Sequence, residues 1–241
     1  MTSISGLSGS IYTYYRAREA LNTAASSTSD RATQDGTATT GNSTGQAAKS
    51  FADVAADARA ALDAGYEKLG ETGTIHTTNE QWRKTVGLDD LDRRSLYAIA
   101  SNEGGLFSEA ESGAARIEMS RRAAEVMMKG VLPGGAPDSA NYKSVLDYYD
   151  QASAEEKESF EWAEARASAE FLYETRIQRE GGTAEQVGSN SDVSSLIVEG
   201  WRQLAATDDS SRRIEDMSAF RLALEHWSEE FGSRDRIDWT M

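Results

Sequence analysis

The chain has 241 residues, 25 of them Lys or Arg and 40 Asp or Glu, for a formal charge of −15. That balance speaks against a nucleic-acid or anionic-membrane surface. The absence of cysteine excludes disulfides, a thiol nucleophile and thiolate metal sites, and the two distant histidines, His76 and His226, leave little for imidazole ligation or Ser-His catalysis.

No window approaches the roughly 20 apolar residues that span a bilayer, so a soluble chain with no membrane partner is expected. Met1 to Ser10 lacks a basic region followed by an apolar one, which predicts no cleaved secretory signal. Cytoplasmic residence and export through an uncleaved terminus both remain open.

Residues 1–50 form a compositional unit of their own. From Thr23 to Ser50 no aromatic or large aliphatic side chain occurs, and such a stretch cannot bury enough apolar surface to offset its ordering entropy. A flexible Ser/Thr/Gly/Ala-rich arm is predicted. Ahead of it, Ile11-Tyr12-Thr13-Tyr14-Tyr15-Arg16-Ala17-Arg18-Glu19-Ala20-Leu21 is short and aromatic, a segment able to dock on the body or on a partner. The first 50 residues carry four basic and three acidic side chains, so residues 51–241 hold 21 basic and 37 acidic, a balance of −16.

From Phe51 the periodicity is helical. Phe51, Val54, Ala55, Ala58, Leu62 and Tyr66 share one face, and Glu111 to Lys129 sets Ala114, Ile117, Ala124, Met127 and Met128 along another stripe. Gly130, Pro133 and Pro137 stop that helix. Ser153-Ala154-Glu155-Glu156 has capping-box spacing and predicts a continuous helix to about Gln178, ended by Gly181-Gly182. A helix over Asp192 to Ala205 carries Leu196, Ile197, Trp201 and Leu204. The last, from about Ser211 to Phe231, carries Ile214, Met217, Phe220, Leu224, Trp227 and Phe231. With no period-two alternation, the expected fold is all-α: a bundle-like single domain of six to eight helices over residues 51–241.

Between Leu91 and Met119 the pattern is helix, glycine loop, helix. With Ala100 as the first loop position, Asn102 falls third, Gly105 sixth, Phe107 eighth, Ser108 ninth and Glu111 twelfth. This resembles an EF-hand loop. Gly73-Thr74-Ile75-His76, 32 residues earlier, aligns with Gly105-Leu106-Phe107-Ser108, so that residues 55–125 look like a degenerate EF-hand pair in which Ile75 meets Phe107. The resemblance implies weak calcium binding through Asn102, Ser108 and Glu111, because Ala100 and Gly104 stand where the family places oxygen ligands. The same residues also fit a glycine helix end followed by Ser108 as N-cap, with Glu111 completing a capping box and no cofactor at all.

Leu96 to Phe107 is also similar to the helix end of lytic transglycosylases and related muramidases. That resemblance implies Glu103 as a general acid in an apolar cleft. The family's downstream block is replaced here by Ser112-Gly113-Ala114-Ala115-Arg116-Ile117-Glu118-Met119. No phosphate-binding glycine motif occurs.

Asn141 to Ala165 holds seven acidic and two basic residues together with Tyr148, Tyr149 and Trp162. Acid interspersed with aromatics suits a basic protein partner. Most of the Trp162, Trp201, Trp227 and Phe231 set is expected in the core, any excess marking a binding groove. The leading functional expectation is a non-enzymatic interaction or regulatory module. The alternatives are the muramidase and an exported appendage- or secretion-associated protein.

Overall fold

A computed structural model describes residues 49–70, 78–207, 209 and 211–232; all but the last two residues of the arm predicted over 1–50, and the earlier loop with Ile75 and His76, lie outside the described residues. Among the described residues there are nine α-helices and no strand. They are α1 (Phe51–Leu69), α2 (Asn79–Lys84), α3 (Arg93–Ala100), α4 (Glu109–Met128), α5 (Ser139–Asp150), α6 (Ala154–Lys157), α7 (Phe160–Arg179), α8 (Asp192–Ala205) and α9 (Ser218–Phe231). Short 3₁₀ turns occupy Leu88–Asp90, Glu103–Gly105 and Ile214–Asp216.

Local chemistry explains where these helices begin. Ser50, Thr78, Asp92, Ser108, Asp138, Ser153, Ser159 and Ser191 each accept an otherwise unpaired backbone N–H from the first turn of α1 to α8, respectively. Only α9 starts without a side-chain cap, at Met217. Its approach from Ser211 to Met217 is not α-helical as predicted: Ile214–Asp216 closes a 3₁₀ turn and the α-helix begins at Ser218.

The predicted helix from Ser153 is likewise two helices. Ser159 caps α7 by accepting from the Trp162 N–H and donates its own hydroxyl to the Glu156 carbonyl, which ends α6 after one turn. Ser153 does cap α6, but the Glu156 carboxylate turns away to Arg93 and no reciprocal capping box forms.

Three apolar clusters make up the interior. The first joins Val54, Ala55, Ala58 and Leu62 of α1 to Trp82, Leu96, Ile99, Phe107 and Ala115. A second places Met127 of α4 against Val145 and Leu146 of α5 and Tyr173 of α7. The third unites Trp162 and Ala167 of α7 with Ile197 and Trp201 of α8 and with Phe220 and Ala223 of α9. Helix α4 therefore serves two clusters, one at each end. Ile117, predicted for its buried stripe, is 45% exposed, because Ala114, Ala115 and Glu118 occupy the face turned inward.

Gly65 marks the tightest crossing. A Cβ there would lie 2.2 Å from the Val86 carbonyl oxygen, so α1 meets the segment after α2 backbone to backbone. Gly65→Ala should lower stability by about 1–3 kcal/mol in urea unfolding through overpacking, despite a helix-propensity gain of about 1 kcal/mol. Unchanged or raised stability would show that Val86 can move aside.

Candidate interaction surface

The Asn102–Glu111 loop is built by its own side chains. Asn102 takes a left-handed conformation, φ 53°, and its side-chain oxygen accepts the Phe107 N–H at 2.8 Å. Ser108 and Glu111 form the reciprocal capping box that opens α4. Glu111, 5% exposed, also accepts the Tyr66 hydroxyl at 2.6 Å and Arg59 Nη1 at 2.7 Å, both from α1. The Arg59 guanidinium lies 5.7 Å from the ring centroids of both Tyr66 and Phe107.

Burial opposes the charge on Glu111, but the hydrogen bonds from Tyr66, Ser108 and Arg59 outweigh it and hold the carboxyl below its ordinary value. The sign of the linkage follows. A depressed carboxylate contributes stability at neutral pH and loses it as pH falls through the folded-state value. Melting temperature should therefore drop below about pH 4.5, and Glu111→Gln should flatten that drop while lowering the neutral-pH plateau. A wild-type-like acid slope in the variant would refute the assignment.

Of the residues predicted to hold calcium, Ser108 and Glu111 are brought together and Asn102 is turned to the Phe107 backbone. Among the described residues no group of three or more His, Asp or Glu is arranged to hold a metal ion. Glu103 is half-exposed at the start of a one-turn 3₁₀ helix, and its neighbours Asn102, Gly104, Gly105 and Leu106 are exposed.

Trp162 is buried, and the half-buried Tyr148 and Tyr149 lie in a joint with Arg93. Arg93, at the start of α3, makes a bidentate contact with Glu156 at 2.8 and 2.6 Å and donates to the Tyr148 carbonyl. Its guanidinium sits 4.0 Å from the Tyr148 ring centroid and 5.5 Å from that of Tyr149. Trp162 is 6% exposed and donates its indole N–H to the Tyr149 carbonyl at 2.9 Å. Beside this joint, Arg94 pairs with Glu155 and donates to the Lys49 carbonyl at 3.0 Å. Burial lifts the Glu156 carboxyl above its ordinary value, with Arg93 working against that rise.

A second set of aromatics, half-buried like Tyr148 and Tyr149, comes from elsewhere in the chain. Phe51 stacks on Tyr97 at 5.9 Å, and Tyr97 lies near Ser159, the residue before Phe160. Phe160 meets Trp227 edge-on at 5.8 Å, and Trp227 contacts Phe231 at 6.4 Å. The Trp227 indole N–H donates to the Glu158 carbonyl at 2.8 Å, which fixes α9 to the α6–α7 corner. Phe51, Tyr97, Phe160, Trp227 and Phe231 are all half-buried, and Leu224 beside them on α9 is 40% exposed.

Carboxylates lie beside Tyr97 and along α9, whereas at the other end the Arg94 guanidinium sits 5.8 Å from the Phe51 ring centroid. Burial pushes the Tyr97 hydroxyl up to about 12; the nearby Ser159 hydroxyl opposes this, while Glu161, Glu156 and Glu158 add to it. Glu161, Glu225, Glu229 and Glu230 are exposed, and Leu224, Glu225, Ser228 and Glu229 line a shallow hollow on α9. Aromatic contact area within acid can receive a basic, apolar segment. Sequence reading marks Trp227 and Phe231 but not Phe51 or Tyr97 as their neighbours.

No helix among the described residues is long and apolar enough to cross a membrane. No protein family, characterised protein or solved structure matches the chain.

Proposed function

We propose that the chain is a non-enzymatic protein-interaction module and that the aromatic band, in its acidic setting, is where a basic protein partner binds. The observation that carries this reading is the half-buried run Tyr97, Phe160, Trp227 and Phe231 beside Glu158 and Glu161. Rigid aromatics supply contact area with little side-chain entropy to lose, and the surrounding charge speeds encounter and rejects acidic partners.

Affinity capture from native lysate tests it, using the full chain, a Leu224→Asp/Phe231→Ser variant and a Glu161→Lys/Glu229→Lys variant. Retention of a basic protein by the wild type, lost in both variants and in 1 M salt, is expected. Equal capture by all three would refute the surface.

Within this reading the EF-hand-like loop acts as a brace, supported by the four hydrogen bonds that Glu111 already accepts. Calcium titration should give no heat at millimolar concentration, and heat abolished by Glu111→Gln would contradict that. Turnover of purified peptidoglycan abolished by Glu103→Gln would replace the whole reading with the muramidase.

A further inference from the structure

The place where the chain enters the described body lies at one end of the aromatic band. The Lys49 carbonyl is held by Arg94, Arg94 pairs with Glu155 of α6, and the Glu158 carbonyl just beyond α6 receives the Trp227 indole. Phe51, two residues from Lys49, is itself the first ring of the band. The described body therefore begins beside Phe51, whose ring carries Arg94, with the carboxylates of the α6–α7 corner and of α9 beyond it.

The preceding sequence contains one segment of matching chemistry. Residues 23–48 have no aromatic or large aliphatic side chain, whereas 11–21 holds Ile11, Tyr12, Tyr14, Tyr15 and Leu21 with Arg16, Arg18 and one acid, Glu19. It is apolar and net positive, and the body beyond residue 50 is at −16. The 27 residues from 22 to 48 separate it from the body, ample chain length to reach along α9. At that tether length the effective concentration is about millimolar, so a weak contact suffices.

We infer that residues 11–21 dock in cis on the band formed by Phe51, Tyr97, Phe160, Trp227 and Phe231, occupying the surface until a basic partner displaces them. The tyrosines take the place of partner aromatics and Arg16 and Arg18 face the glutamates of the α6–α7 corner and α9. This inference rests on the proposed interaction surface, and it makes the N-terminal segment an internal competitor for it.

The cysteine-free sequence permits a clean test on the full chain. Spin labels on Ser10→Cys and His226→Cys report the distance from the segment to the exposed back of α9 by pulsed electron resonance. Docking predicts one narrow distance component that broadens in 1 M salt and in the Arg16→Glu/Arg18→Glu variant. Dilution with unlabelled chain should leave that component intact. A broad distribution at low salt, of the roughly 35 Å scale of a free coil of this length, would overturn the inference. So would a narrow component indifferent to the arginine reversals or to Phe231→Ser, or one lost on dilution, which would assign the contact to a second copy. Salt-sensitive, band-dependent partner capture alongside a broad distribution would leave the interaction surface standing and remove only its internal occupant.

Discussion

Arg93→Ala is expected to lower stability by about 3–5 kcal/mol, among the largest effects of any substitution in the chain. The reason is the position of Glu156, whose side chain is 5% exposed and whose two oxygens both rely on Arg93. Truncation leaves a buried carboxylate without its cation, frees the Tyr148 carbonyl and uncovers the Tyr148 ring. Two adjacent arginines in the first turn of α3 oppose the helix dipole, so their placement is explained by what they reach and not by the helix they begin. The joint they make ties α3 to α5 and α6, alongside the packing of α4 on α5. The double change Arg93→Met/Glu156→Leu should cost much less than Arg93→Ala alone, since removing both charges leaves none stranded. Urea unfolding of the three proteins decides it, and a double variant as unstable as the single would contradict the explanation.

Glu118→Ala should have a comparable effect, about 3 kcal/mol. Its carboxylate is 1% exposed and contacts Arg121 at 2.6 and 2.8 Å, Arg122 at 2.9 Å and Arg83 at 3.3 Å. Burial resists the charge, but the arginine hydrogen bonds prevail and hold the carboxyl below its ordinary value. Without it, three guanidinium groups face one another, and Arg83 Nε, buried with no hydrogen-bond partner, loses the counter-charge beside it. Arg122 also donates to the carbonyls of Leu88, Asp89 and Leu91, so loosening it should expose residues 79–91 to limited proteolysis. Cleavage unchanged from wild type would show that α2 and the Leu88–Asp90 turn are held independently.

Much of this architecture is legible because it is written in local chemistry. Helix α8 has the predicted bounds, the buried face of α1 is the predicted one, and the Ser108–Glu111 capping box needs only residues three apart. The break at Ser159 escapes a reading by pattern because no glycine or proline marks it, and the hydroxyl that stops α6 has the same sequence signature as any exposed serine. The role of Glu118 is hidden for a different reason. Within Glu-Met-Ser-Arg-Arg it reads as a solvated ion pair with Arg121 and Arg122, and only its burial and the arrival of Arg83 from α2 change its meaning. Composition alone does not show that Trp162 is buried, nor that Arg93 packs on the half-buried rings of Tyr148 and Tyr149. The aromatic band draws on positions 51, 97, 160, 227 and 231, of which helical spacing connects only the last two.

The most direct measurement of the central claim is hydrogen exchange on the full chain, free and in complex with the captured basic partner. The account predicts slowed exchange confined to the start of α1, the Glu158–Glu161 corner and the last two turns of α9. Protection centred on the Asn102–Glu111 loop, or none on α9, would contradict it.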